Sequence, residues 1–232
     1  MKNVLVIAAH PDDEVLGCGA TIAKHAKSGD SVHIVILSEG VTSRDDRRDR
    51  LRRDGELSDL AKAAFSAKDI LGAKTLDLHE FPDNRMDSID HLDIVKVVEK
   101  CLNMYEPGIV YTHHSGDVNI DHRRIHEAVI TATRPQPGQT VNTLLFFEVQ
   151  SSTEWQPPGS APAFAPNWFV NVSSTLELKI EALAAYKAEM RKWPHARSCE
   201  AVEHLARWRG ANIGCEAAEA FILGRKIVSG DE

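Results

Sequence analysis

Cysteine is scarce and dispersed. The four in this chain, Cys18, Cys101, Cys199 and Cys215, form no C-x-x-C pair. Neither a zinc ribbon nor a disulfide framework is indicated, and reduced thiols in a reducing compartment are the simpler reading. Long apolar runs are missing too. No stretch of about 18 residues is both apolar and uncharged, and the run before His10 is too short for a signal-peptide core, which argues against stable membrane insertion and for a cytoplasmic protein. Positive charge is not in excess: 27 Lys and Arg stand against 34 Asp and Glu, a formal charge of −7. That balance disfavours nucleic acid as a dedicated partner. Phosphate-cradling glycine patterns are also absent, with no G-x-x-x-x-G-K-[ST] and no G-x-G-x-x-G after the first apolar run.

What is present is ordinary globular composition, 43% hydrophobic and 26% charged over 232 residues. Apolar runs NVLVI, SVHIVIL, TLDLHEF, GIVYTHH and TLLFFEV start near residues 3, 31, 75, 108 and 143, and helical spacing separates most of them. The alternation predicts an α/β fold with a mostly parallel sheet flanked by helices. The first helix is expected from Pro11 to about Lys27, a second to end at Gly72, a third to stop at Pro107, and a fourth to start at His122 after a loop HSGDVNID. Two helices are expected toward the C-terminus, within 173–195 and 199–210. Residues 150–167 carry four prolines without a period and read as a wall or lid of a site. No repeat or linker forces a boundary, so residues 1–232 read as a single domain.

The first strand runs into AHPDDE, residues 9–14. Acids in the first turn of a helix are favoured by its dipole and serve as caps. Three acids beside a histidine exceed what capping requires, and a metal cation accounts for them better. His10 and Asp13 bracket the strand-to-helix turn and are able to face one ion, with Asp12 beside it. A third ligand must come from elsewhere, and the loop after the fourth strand offers Asp117, Asn119, Asp121 and His122, with Asp121 suited to orient His122 or a neighbouring ligand.

At these residues the chain resembles the PIG-L (LmbE-like) zinc-dependent de-N-acetylases of N-acetylated amino sugars. AHPDDE and DVNIDHR at 117–123 carry the resemblance. FPDNRMD at 81–87, THH at 112–114 and RS-x-EA-x-x-x-LAR-x-RG at 197–210 are similar to the branch found in bacterial polysaccharide biosynthesis. The resemblance implies a Rossmann-like fold, Zn²⁺ held by His10, Asp13 and His122, and Asp12 as general base. Asn119 stands where many members have a histidine; it can donate to an oxyanion but cannot deliver a proton, which leaves His113 or His114 as substitutes for that task. The implied partner is a small N-acetylated sugar, with a homo-oligomer allowed.

Several further residues are candidates for holding the sugar. Arg44 follows the second strand and is suited to grip a phosphate or carboxylate. Asn84, Arg85 and Asp87 follow the third strand, where turn chemistry is the competing explanation. His114 ends the fourth. The run from Arg44 to Asp54 holds six arginines and four aspartates and reads as a solvated helix face with internal ion pairs. A module that binds Mg²⁺ and a nucleotide without hydrolysis is the alternative, though a His/Asp/His set suits zinc better. A catalytically silent relative is a third reading, against which the intact Asp12 argues.

Overall fold

Apolar strands that must be covered on both faces dictate the architecture. In the computed structural model, which describes residues 1–228, the chain runs β1 (Asn3–Ala8), α1 (Asp13–Lys27), β2 (Ser31–Ser38), α2 (Asp54–Leu71), β3 (Thr75–Phe81), α3 (His91–Tyr105), β4 (Ile109–His113), α4 (Ile120–Ala132) and β5 (Thr143–Phe147). It continues through β6 (Trp168–Asn171), α5 (Leu176–Ala185), α6 (Cys199–Ala211) and β7 (Ala218–Lys226). The strands form one sheet in the order β3-β2-β1-β4-β5-β7-β6. The first five are parallel, and β7 enters antiparallel to both β5 and β6. The α/β, mostly parallel sheet expected from the sequence is therefore the fold of this chain.

Successive side chains of a strand face opposite ways. Val4, Val6 and Ala8 accordingly join one buried cluster with residues of α1, α2 and α5, while Leu5 and Ile7 join another with residues of α3 and α4. Burial on both faces explains why these strands read as unbroken apolar runs. α1 lies so close to β5 that a Cβ on Gly17 would stand 2.3 Å from the Phe147 ring.

Four boundaries depart from expectation. α1 starts at Asp13, because Asp12 adopts φ 116 and is not helical. α4 starts at Ile120, two residues early, because the Asn119 side chain accepts from the Asp121 N–H and caps it. The charged run is helical only from Asp54; before that Arg48 pairs with the buried Glu39 and Arg50 with Glu80, while Arg53 keeps the expected internal pair with Asp45. α5 stops at Ala185 rather than running toward His195, since Tyr186 turns its hydroxyl inward to Glu14 at 2.6 Å. The irregular chain that follows brings Glu189 and Arg197 to the turn after β1.

Candidate active site

The crevice at the carboxyl ends of β1 and β4 is where a parallel sheet of this order changes direction: the chain leaves β1 toward β2 and leaves β4 toward β5. Ligands sit at such points because the following loops diverge there. From β1 the chain enters the turn His10-Pro11-Asp12, closed by Asp13 N–H to the His10 carbonyl at 3.1 Å. The left-handed conformation of Asp12 costs a non-glycine residue about 1–3 kcal/mol. Glu14 holds it there, accepting the Asp12 N–H at 3.1 Å while Tyr186 donates to its other oxygen. The Asp12 carboxylate makes no capping bond to α1 and instead accepts from Arg197 at 3.1 Å. Helix capping therefore does not explain it.

His10, Asp13 and His122 bring one ligand atom each to within 4.8 Å of one another. Asp13 Oδ2 is 3.2 Å from His10 Nδ1 and 3.1 Å from His122 Nε2. Both nitrogens of the buried His122 ring lack a hydrogen-bond partner, although Asp117 Oδ2 is 3.1 Å from Nδ1. Burial opposes charge on His122, yet the Asp13 and Asp117 carboxylates outweigh it and lift the imidazole to about 9. Burial likewise opposes charge on His10, and hydrogen bonds to Asp121, Asp13 and Asp83 reverse it. Asp13 is buried as well, but His122 and His10 hold its carboxyl well below the usual range. Two imidazoles, one carboxylate and an orphaned ring nitrogen form a donor set that fits zinc.

The outward nitrogens are aimed by carboxylates. Asp121 is fully buried, accepts the N–H groups of Asn84 at 2.7 Å and Met86 at 2.9 Å, and meets His10 Nε2 at 3.0 Å. Of the two choices left open by the sequence it orients His10, while Asp117 faces His122. Asp117 is itself fixed by Ser152 and by Thr153 at 2.7 Å.

A cavity of about 440 Å³ opens over the cluster, lined among others by Asp12, Arg44, Asn84, Asn119, Trp155, Glu189 and Arg197. Of the sugar-holding candidates, only Arg44 and Asn84 reach it. Arg44 already donates to Glu189 at 2.7 Å and Glu56 at 3.2 Å. Arg85 is turned away to the carbonyls of Asp45 and Asp46, and the exposed Asp87 does not line the cavity. His114 is corrected too, as its Nε2 bonds the Pro162 carbonyl at 2.8 Å and so anchors the proline-rich segment. His113 does not line the cavity. Burial holds its imidazole neutral, and its Nε2 accepts the Ala9 N–H at 2.8 Å behind the stacked His122 ring. Asp83, which lies 3.3 Å from His10 Nε2, Arg197 and Glu14 fall within the quoted motifs but were given no role of their own, and Tyr186 was not read as a site residue.

The chain is 29% identical over 197 residues to the uncharacterized deacetylase YaiS of Escherichia coli, covering 81% of this chain and 91% of that protein. It is 28% identical over 205 residues to the diacetylchitobiose deacetylase of Thermococcus kodakarensis, covering 82% and 70%. The fold also matches that of the 4-carboxy-2-hydroxymuconate hydratase from Pseudomonas putida, with a TM-score of 0.77 at 21% identity over 99% and 98% of the two chains. Residues 5–133, which run from within β1 through α4 and include His10, Asp13 and His122, match the PIG-L family model described as GlcNAc-PI de-N-acetylase, and the chain belongs to that family.

Proposed function

We propose that the protein is a zinc-dependent hydrolase that removes the acetyl group from an N-acetylated amino sugar of the N-acetylglucosamine type, or from its conjugate. The observation that carries this reading is the His10/Asp13/His122 cluster with the Asp12 carboxylate beside it in one cavity. A zinc ion held by those three side chains supplies Lewis acidity toward the acetyl carbonyl and acidifies a water. The remaining steps belong to the chain. Burial pushes the Asp12 carboxyl well up, against the Arg197 guanidinium, which suits a base that must also release its proton. Asp12 takes the proton of the attacking water as the C–O bond forms. It then returns that proton to the nitrogen as the C–N bond breaks, giving acetate and a primary amine.

Asn119 supports the tetrahedral oxyanion in this scheme. Its carbonyl is used in the cap and one amide hydrogen goes to Asn84 Oδ1 at 2.9 Å, so its second N–H is the one available to the cavity. The scheme assigns protonation of the amine to Asp12, since His113 and His114 are engaged elsewhere. Asn84 is suited to a sugar hydroxyl. Four free cysteines fit a reducing cytoplasm, and among the described residues no helix is long and apolar enough to cross a membrane. A role in polysaccharide biosynthesis rests on the motifs at 81–87, 112–114 and 197–210. The test is acetate release from N-acetylated sugars with appearance of a primary amine; hydration, the reaction named for the structural relative, yields neither.

Two results are expected at the metal. Asp121→Ala and Asp117→Ala should each weaken zinc affinity by roughly 10- to 100-fold, because each removes the carboxylate that orients a ligating imidazole. Competition with a chromogenic chelator measures it, and unchanged affinity removes that carboxylate from the site. Zinc binding at pH 7 should also release protons. His10 and His122 are held protonated without metal, with His122 at about 9, and must be neutral to ligate. Affinity therefore rises with pH up to that range. Calorimetry in buffers of different ionisation enthalpy reads the number released, and a value of zero contradicts the ligand assignment.

A further inference from the structure

We propose that Arg197 is the positioning residue of the Asp12 base, a guanidinium clamp that ties the turn after β1 to the turn after β5 and so fixes the Asp12 carboxylate in the cavity. This rests on the deacetylase reading of the site and goes beyond it, because it gives a role to a side chain far outside the segment that carries the ligands.

Among the described residues, five other than glycine adopt positive φ: Asp12, Val41, Asn84, Glu106 and Ser151. All but Glu106 line the cavity, and strain of that kind persists only where the surroundings hold it. Asp12 and Ser151 are held alike. Glu14 accepts the Asp12 N–H at 3.1 Å, and Glu154 accepts the Ser151 N–H at 2.6 Å. One side chain then joins the two turns: Arg197 donates from Nε to Ser151 Oγ at 2.9 Å and from Nη1 to Asp12 Oδ2 at 3.1 Å. The clamp is mounted through its own backbone too. Its N–H goes to His195 Nδ1 at 3.0 Å, its carbonyl accepts the Arg191 N–H at 3.0 Å, and Ser198 beside it caps α6 by accepting the Ala201 N–H at 3.0 Å.

The charges of the site leave this task to Arg197. His10, His122 and the zinc they would hold answer Asp13, whose Oδ2 lies between the two rings. Asp12 stands outside that ligand set, is 2% exposed, and shares its turn with the buried Asp13 and Glu14. A carboxylate so placed needs a cation in contact. Arg44, the other guanidinium on the cavity, is taken by Glu56 and Glu189, and Arg197 makes the contact. It occupies one oxygen of Asp12; among the described residues no hydrogen bond reaches the other, Oδ1, which is left for the proton. A planar fork spans Ser151 and Asp12 in fixed geometry, as a single ammonium cannot.

The experiment compares wild type, Arg197→Ala, Asp12→Asn and the double variant. Arg197→Ala is expected to lower kcat on the order of 10²-fold, the usual loss when a catalytic group is misplaced, with zinc content unchanged and KM within about 3-fold of wild type. In the Asp12→Asn background no base is left to position, so adding Arg197→Ala should lower the residual rate by less than about 3-fold. Guanidinium ion at a non-denaturing concentration should restore part of the rate to Arg197→Ala and none to the double variant. Ser151→Ala keeps the guanidinium but removes its second support; it is expected to lower kcat on the order of 10-fold, and it carries the test if Arg197→Ala does not fold. Thermal melts of the metal-free proteins read the contact without catalysis. Arg197→Ala leaves a buried carboxylate unpaired and Asp12→Asn removes that charge, so the double variant should melt no lower than Arg197→Ala. A kcat within about 3-fold of wild type, a loss confined to KM, or an equal loss in the Asp12→Asn background would each overturn the proposal while leaving the deacetylase reading in place. If wild type frees no acetate from any N-acetylated sugar, that reading falls, and the melts alone judge the clamp: losses that simply add in the double variant overturn it.

Discussion

Asp12→Asn is expected to lower turnover by roughly 10²- to 10⁴-fold, the usual worth of a positioned base, while zinc content stays at the wild-type level. Asparagine has the same shape and tolerates the left-handed backbone that Asp12 adopts. Its Oδ1 still accepts from Arg197, and the backbone N–H that Glu14 holds is unchanged. What it cannot do is accept the proton of a water. A capping role predicts near wild-type activity for this variant, because asparagine caps as well as aspartate. Elemental analysis and initial rates on one preparation separate the two, and a thermal melt confirms that the fold persists.

Asp13→Asn should have the opposite signature: zinc affinity falls by more than about 100-fold, beyond the loss expected for an orienting carboxylate, and activity follows it to background. Asp13 Oδ2 is the anion between His10 and His122, with His113 a further 3.7 Å away. Its removal takes away both a ligand atom and the charge that draws a cation into a buried site. If Asp13→Asn keeps its metal while Asp12→Asn loses it, ligand and base have been exchanged in this account. If both variants keep metal and rate, the cluster is not the catalytic centre.

The contrast between these neighbours also shows what the sequence could and could not convey. β1, β2, β4 and β5 were legible because strands covered on both faces are nearly unbroken apolar runs, and the edge strand β3 because its leucines alternate with polar residues. β6 was not, since Trp168–Asn171 is a four-residue strand at the sheet edge, only partly buried. The candidate ligands His10 and Asp13 could be read together because they stand three positions apart in one turn. Asp83 and Asp117 were harder to read, being written as ordinary turn residues whose side chains gain their meaning only when β1, β3 and α4 converge. Arg197 lies 185 residues from the Asp12 it contacts, and no local pattern reports such a pairing. It reaches the cavity only because α5 ends early, where Tyr186 is drawn to the buried Glu14, which is pushed up to about 7 by that burial. The opposite error has the same origin. Arg85, Asp87 and His114 stand near the site in sequence, yet their side chains are turned to backbone carbonyls or solvent.

The central claim is that one metal at His10, Asp13 and His122 is required for hydrolysis of an N-acetyl group. Stepwise return of zinc to chelator-stripped protein, with acetate release measured at each step on the best N-acetylated sugar found in a panel, tests it most directly. The account predicts no release from stripped protein and a linear rise that ends at about one zinc per chain. Release that persists after stripping, or a fully loaded protein that frees no acetate from any sugar of the panel, would contradict it.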